Sequence, residues 1–290
     1  MAGYTGFDDI IAQSTAGKRI IIPFSKINST APVAAAWYHL WTNGGLPQAG
    51  AAYTGTALAF QRTTEKTTGA IAHGGNKSTA TKHLLKMWAM ASGGSTPPIL
   101  QLVDMVGYYP LTQSASLQAF DNTTGPDRYV SAGDPGLQMV LVAGALGDST
   151  ASNISALNYT NQAGNPSSIP TSTAVAVTVS AAAPTGTLGS RVITTIGNSP
   201  YIPLAQGDTG VRSLTNITFS AANSGLEAIL LVKPLHTFPC PAASVAGERD
   251  LVMQLPSLER IYDGACLSLL SFFAVATAAN FTGEFEAGWN

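Results

Sequence analysis

Charge is what this chain has least of. Its 290 residues include 14 Lys and Arg and 16 Asp and Glu, 10% of the whole, where an ordinary soluble domain carries about 25%. The net charge is −2 and no Lys/Arg cluster occurs. Nucleic-acid affinity rests on phosphate neutralisation, so nucleic acid is excluded as the expected partner. Cysteine is scarce too. Cys240 and Cys266 lack any C-x-x-C partner, which leaves no disulfide framework and no zinc site. In a reducing compartment both read as small buried hydrophobes. Long apolar runs are also missing. The most apolar stretch, Ala265 to Ala279, is shorter than the roughly 20 residues of a spanning helix. Its Ser and Ala content reads as a buried strand or strand pair, and no membrane partner is expected. Met1 to Ile11 contains Asp8 and Asp9 and shows neither a basic n-region nor an apolar h-region, so synthesis in a cytoplasm is the expectation.

Gly, Ser, Thr, Asn and Ala take the place of charge. The 10 Phe, 9 Tyr and 4 Trp exclude an intrinsically disordered tail. A surface this poor in charge is either covered by other chains or simply solvated by Ser, Thr, Asn and Gln; the two can hold together, and together they describe a protein that lives in an assembly. Seven Asn-x-Ser/Thr triplets, at Asn28, Asn76, Asn122, Asn153, Asn158, Asn216 and Asn280, carry little meaning without a secretory signal.

Helical signals sit in the first third. Thr30 can cap a helix with Pro32 in its first turn, Val33, Trp37, Leu40 and Trp41 on one face, and Asn43-Gly44-Gly45 at its end. A second helix is expected from Ser78 or Thr79, with Leu84, Leu85, Trp88 and Ala91 as its stripe and Gly93-Gly94 as its stop. After Pro98 the texture changes to strands. These are Ile99–Val106, Leu137–Ala143, Val175–Val179, Ile217–Phe219, Leu226–Lys233 as a central strand, Leu251–Leu255, and Phe281–Trp289 with period 2. Turns at Asp134-Pro135-Gly136, Pro184-Thr185-Gly186, Gln206 to Gly210 and Asn223-Ser224-Gly225 punctuate them. Gly147 to Thr173 reads as an extended loop. The expected fold is mainly β: an antiparallel, jelly-roll-like β-sandwich over residues 98–290, with a smaller N-terminal region, 1–97, containing two helices. The N-terminal part could instead pack onto the sandwich as one domain.

Catalytic motifs are sparse. Gly69 to Ser78 imitates a phosphate loop, but Gly75 stands where Lys is required and Lys77 arrives two residues late. No G-x-S-x-G elbow occurs. The four histidines, His39, His73, His83 and His236, fall in no H-E-x-x-H motif. Glu284 and Glu286 share one face of the last strand, about 7 Å apart by strand geometry. That is within glycosidase range, although a Glu-x-Glu on an edge strand also serves simply to block edge pairing. Asp208 in Gly-Asp-Thr-Gly matches an aspartic-protease triplet only superficially and reads as a polar turn. No enzyme, cofactor or metal is therefore expected.

A series of segments resembles structural proteins of tailed-bacteriophage heads. They are the N-terminal Tyr/Phe arm, Leu84-Leu85-Lys86-Met87-Trp88, Leu102 to Pro110, Asp127-Arg128-Tyr129, Tyr201-Ile202-Pro203-Leu204, Gly207 to Ser213, and Leu231-Val232-Lys233-Pro234-Leu235. In particular the chain resembles capsid decoration or cement proteins with jelly-roll-like domains. The resemblance implies a non-enzymatic protein, made in the host cytoplasm, that sits on the capsid exterior of the virion. It would bind the major capsid protein and neighbouring copies of itself, as a homotrimer. A tail or receptor-binding component with a carbohydrate-binding β-sandwich is the alternative. Tyr4 and Phe7 on the arm, and Trp37, Tyr38 and Trp41, are the candidate interface anchors, because aromatics dominate interface energetics. Trp37 and Trp41 could equally be core.

Overall fold

The computed structural model describes residues 3–77, 79–93, 98–112, 114–144, 151–170, 175–178, 190–193, 199–222, 225–254 and 257–290. Its strands in chain order begin with β1 (Arg19–Lys26), β2 (Ala36–His39), β3 (Gly45–Leu46), β4 (Gln61–Arg62), β5 (Lys82–Ser92) and β6 (Ile99–Pro110). Next come β7 (Gln118–Ala119), β8 (Gln138–Ala143), β9 (Ala151–Asn161), β10 (Pro166–Ser168), β11 (Val175–Thr178) and β12 (Ser190–Val192). The last are β13 (Val211–Phe219), β14 (Leu226–Pro239), β15 (Gly247–Asp250), β16 (Arg260–Ile261), β17 (Leu267–Phe273) and β18 (Asn280–Trp289). Two α-helices accompany them, α1 (Phe7–Thr15) and α2 (Leu251–Gln254). The chain is mainly antiparallel β, as its sequence predicts.

A closed barrel stands at the centre. Strands β14, β8, β12, β2, β17 and β6 pair in that order, and β14 pairs back onto β6 to shut the ring; β4 pairs with β6 at Gly107 and Tyr108, beyond the stretch that β17 covers. Closure leaves these strands without the exposed edges that invite aggregation. Side chains alternate across the barrel wall with period 2. Val103, Val140, Val142, Leu230, Val232 and Leu270 fill the interior with Trp37, Trp41 and Tyr53.

A sheet covers each side of the barrel. The first, in the order β15-β5-β18-β1-β3 with β16 also on β5, buries Phe24, Met87, Phe281 and Phe285 against Tyr38, Leu102 and Leu269 of the barrel. The second, β10-β9-β13-β7 with β11 on β9, buries Leu157, Tyr159, Leu214 and Ile217 against Met139, Leu141, Ile229 and Leu231. Strands from before and after residue 98 share the barrel and the first sheet. Residues 94–97, where a boundary is expected, lie outside the described residues.

The helices are not where the sequence pattern puts them. Trp37 and Tyr38 belong to β2, and Leu40–Thr42 is a single 3-10 turn. β2 is inserted between β12 and β17 and bonded on both edges, so sheet pairing takes every backbone group a helix would have used. The expected second helix is β5, whose burial alternates from Lys86 to Ser92. Its apparent helical stripe comes from the Leu84-Leu85 doublet: Leu84 opposes Ala287 and Lys86 opposes Glu286, so Leu85 is the extra residue of a bulge. Intrinsic preference of Leu, Lys, Met and Ala for helix yields here to tertiary pairing. Conversely, Leu251–Gln254 is a helix rather than a strand, because Asp250 Oδ1 accepts the Val252 and Met253 amides at 3.0 and 3.4 Å as an N-cap; Leu255 lies outside the described residues. The expected loop at 147–173 contains β9 and β10. Ile154, Leu157 and Tyr159 anchor β9, and its many Asn, Ser and Thr residues disguise it. Residues 147–150 and 171–173, the turn at 184–186, Ser78, Val179, and Asn223 and Ser224 also fall outside the described residues. β18 is a central strand bonded to β5 and β1, not the edge strand that Glu284 and Glu286 suggest.

Candidate interaction face

The folded chain distributes its chemistry unevenly. Several of its polar and titratable groups are sealed in buried clusters, while most of its exposed large apolar side chains lie on one side.

The sealed groups form three clusters. Inside the barrel, His39 Nδ1 lies 2.5 Å from Tyr53 Oη and Nε2 lies 2.7 Å from Ser268 Oγ. Burial holds the His39 imidazole down to a pKa of about 3, with Lys26 adding to the effect, and pushes Tyr53 well up. A Ser–His pair is hydrolase chemistry in composition, but both side chains are enclosed by the barrel wall and no substrate reaches them in this structure. At the second cluster, Arg128 grips Asp104 while Asp104 Oδ1 also accepts the Cys266 amide at 2.8 Å. At the third, Lys82 Nζ donates to His73 Nδ1 at 2.8 Å and to Gly75 O at 2.8 Å, and His73 Nε2 donates to Ala265 O at 2.9 Å. Burial lowers the pKa of both His73 and Lys82. Each cluster satisfies buried polar groups and ties a loop to a strand, the usual task of such networks. Among the described residues no three His, Cys, Asp or Glu side chains converge as a metal site.

Two other sequence candidates for chemistry are held by partners of their own. Glu286 pairs with Arg19 at 3.4 Å on the outer face of β18. Asp208 accepts from Tyr159, Asn161 and Ser167 at 2.8, 2.8 and 2.6 Å, which locks its turn against β9 and β10. The glycine loop at 69–77 leads into a strand rather than a helix N-terminus, so the dipole that a phosphate loop uses is missing.

The apolar surface gathers on the first sheet. Eight large hydrophobic residues are exposed among those described: Phe7, Ile11, Ile21, Ile27, Leu46, Val245, Met253 and Leu117. All but Leu117 belong to the first sheet or to segments that adjoin it. α1 lies over this sheet and buries none of its side chains. It is held by its own chemistry: Asp9 accepts the Thr5 amide at 3.0 Å and Gln13 Nε2 at 2.9 Å, and Asp8 and Asp9 complement the helix dipole. Phe7 is 56% and Met253 of α2 is 71% exposed. They flank a groove of about 330 Å³ floored by Leu85 and Val252. A neighbouring cavity of about 430 Å³ opens between Tyr4, Phe7, His83 and Leu258. Two pairs of opposite charges neutralise each other on this face, Lys86 with Glu248 at 2.9 Å and Arg19 with Glu286 at 3.4 Å.

Of the five anchor residues expected from the sequence, Tyr4 and Phe7 lie on this face. Tyr4 stacks on His83 with ring centroids 5.4 Å apart. Trp37, Tyr38 and Trp41 are buried in the chain's own core. Trp41 donates from Nε1 to Ala51 O at 2.9 Å inside the barrel, and Tyr38 Oη accepts the Val33 amide on its outside. Their surface role falls with the helix that was to display them. Ile11, Ile21 and Met253 are not evident as surface residues in the sequence, because apolar residues on a strand or helix read as core until the pairing is known. No family model matches the chain, and neither a curated protein nor a solved structure matches it.

Proposed function

We propose that this chain is a structural protein of a tailed-bacteriophage virion. It binds the outside of the head and stabilises the capsid lattice through contacts with the major capsid protein and with copies of itself. The observation that carries this reading is the concentration of exposed apolar side chains on the first sheet and α1, beside sealed polar clusters elsewhere. Soluble monomers rarely leave contiguous apolar patches open, and Tyr4, Phe7, Ile11 and Met253 have the character of interface anchors. A standard interface buries about 1,600 Å², and repetition around a shell multiplies its effect. The homotrimer implied by the phage resemblance is part of this proposal.

The test is co-sedimentation with purified shells that lack the protein. Wild-type chain pellets with shells and raises their resistance to heat; a Phe7→Asp/Ile11→Asp variant stays in the supernatant. Wild-type chain that never pellets, or a variant that pellets as well as wild type, overturns the reading.

A further inference from the structure

One edge of the first sheet is open. β1 pairs with β18 along its whole length, from Arg19 with Gly288 to Lys26 with Phe281. On its other side only Ser25 and Lys26 have partners, in β3. Among the described residues no strand pairs with Arg19–Phe24 on that side. The window is bounded by Leu46, which faces Ser25, and by Gly17, where the chain turns in from α1 with φ +76°.

The backbone of this edge has a definite pattern. The Ile27 amide donates to Gly44 O at 3.0 Å, so residues of that parity aim their N–H and C=O groups away from β18. Arg19, Ile21 and Pro23 share the parity. Pro23 therefore lacks its N–H on the free side and takes nothing from the ladder with β18. The edge offers the amides of Arg19 and Ile21 and the carbonyls of Arg19, Ile21 and Pro23.

We infer that this edge pairs with the same edge of a second copy, antiparallel and two-fold about Ile21. In that register Ile21 exchanges both backbone bonds with its counterpart. Arg19 N–H then donates to Pro23 O of the other copy, and the reverse occurs at the far end. The missing proline donor falls opposite the Arg19 carbonyl at the wet margins of the ribbon. Side chains fit the same axis. Ile21 is 49% exposed and meets its own copy on the outer face. Arg19 comes opposite the second copy's Pro23, in the row that continues to Glu284, a carboxylate with no ion pair among the described residues. Arg19 at one end and Glu284 at the other make the edge complementary to itself. Beside it runs an apolar groove of about 430 Å³, lined by Ile20, Ile22, Leu46, Pro47 and Ile71, and the two-fold joins two such grooves. The pairing fuses both first sheets into one. It deepens the self-association part of the proposed function, and shell binding can fail without affecting it.

The experiment is cysteine cross-linking with mass measurement on the full chain. Counterparts in a hydrogen-bonded antiparallel pair sit about 5.5 Å apart at Cα, within the range of roughly 4.4–6.8 Å that a disulfide spans. Ile21→Cys is expected to form a covalent dimer on oxidation or with a short bis-maleimide. Leu117→Cys, more exposed but beside β7 of the other sheet, is expected to remain uncross-linked. Cys240 and Cys266 are buried and stay silent. By light scattering, wild-type protein should have at least twice the mass of Ile21→Lys. Equal masses, or a Leu117→Cys dimer formed as readily as the Ile21→Cys one, would overturn the pairing. An oligomer that passes this test but ignores shells would instead overturn the capsid reading alone.

Discussion

Arg128 holds Asp104 by two contacts, Nε to Oδ2 at 2.7 Å and Nη2 to Oδ1 at 2.6 Å, with both side chains buried. Asp104 lies on β6 and opposes Leu267 of β17 and Lys233 of β14. Arg128 comes from the segment between β7 and β8 and also donates to Thr63 O at 3.2 Å. The pair thus fastens two loops to a barrel strand.

Breaking such a pair from one side leaves an uncompensated charge in the interior, which costs about 3–5 kcal/mol. Asp104→Asn and Arg128→Met should each lower stability by that order in urea unfolding. The double variant Asp104→Asn/Arg128→Met, which keeps an acceptor for the Cys266 amide, should recover much of the loss. A double variant as unstable as the sum of the singles would show that the two side chains act independently.

Acid should destabilise the fold well before carboxylates titrate. Burial depresses the pKa of His39 to about 3 and lowers those of His73, His83 and His236. Each binds a proton more readily when unfolded, near the usual 6.5. The histidine contribution to stability is therefore present above the unfolded value and is lost as pH drops from there toward each lowered folded pKa. His39 alone contributes a loss of about 1.4 kcal/mol per pH unit across that window. Melting temperatures measured from pH 7 to pH 4.5 should fall, and less steeply in His39→Gln. An unchanged slope in that variant would contradict neutral burial of His39.

Gly50 is required for contact, not for backbone freedom. A Cβ there would lie 2.3 Å from atoms of the buried Trp41 ring, and Gly69 crowds it from the other side. Gly50→Ala should cost about 1–3 kcal/mol by overpacking. At Gly44 an added Cβ would meet nothing within 4 Å, so alanine should be accepted there with little change. Chemical denaturation of the two variants side by side checks the contrast.

α1 should be dispensable for folding and indispensable for docking. It buries no side chain, and surface substitutions away from packed sites stay within about 0.5 kcal/mol. Phe7→Asp/Ile11→Asp should melt with wild type while losing shells. Truncation has to stop before Arg19, since residues 19–26 form β1; removing 1–30 would take a strand out of the sheet. A variant that unfolds early would mean that α1 packs more firmly than its exposure indicates.

Most strands after residue 98 are legible in the sequence. β8 is flanked by glycines, β14 is apolar on both faces because it is central, and β18 alternates cleanly. The first third misleads for one physical reason. Trp37 and Trp41 face into a barrel whose other walls, from Val103 of β6 to Leu270 of β17, lie about 60 to 230 residues away, and no local spacing encodes that. The Leu84-Leu85 bulge then imitates helical periodicity. Of the candidate face, Tyr4 and Phe7 are visible because an aromatic arm is conspicuous. Ile21 is not, since Ile20-Ile21-Ile22 reads as buried on both sides until one learns that none of the described residues covers the outer one.

β18 lies between β1 and β5, so residues 280–289 occupy the middle of a sheet whose neighbours are made some two hundred residues earlier. On the ribosome the edges of those two strands that β18 joins must wait until residues 280–289 have emerged. Pairings this distant in sequence close slowly. The chain therefore has a vectorial problem: its first sheet is finished from the inside and last, and a stalled or shortened translation product leaves β1 and β5 as two open edges for chaperones or aggregation to find.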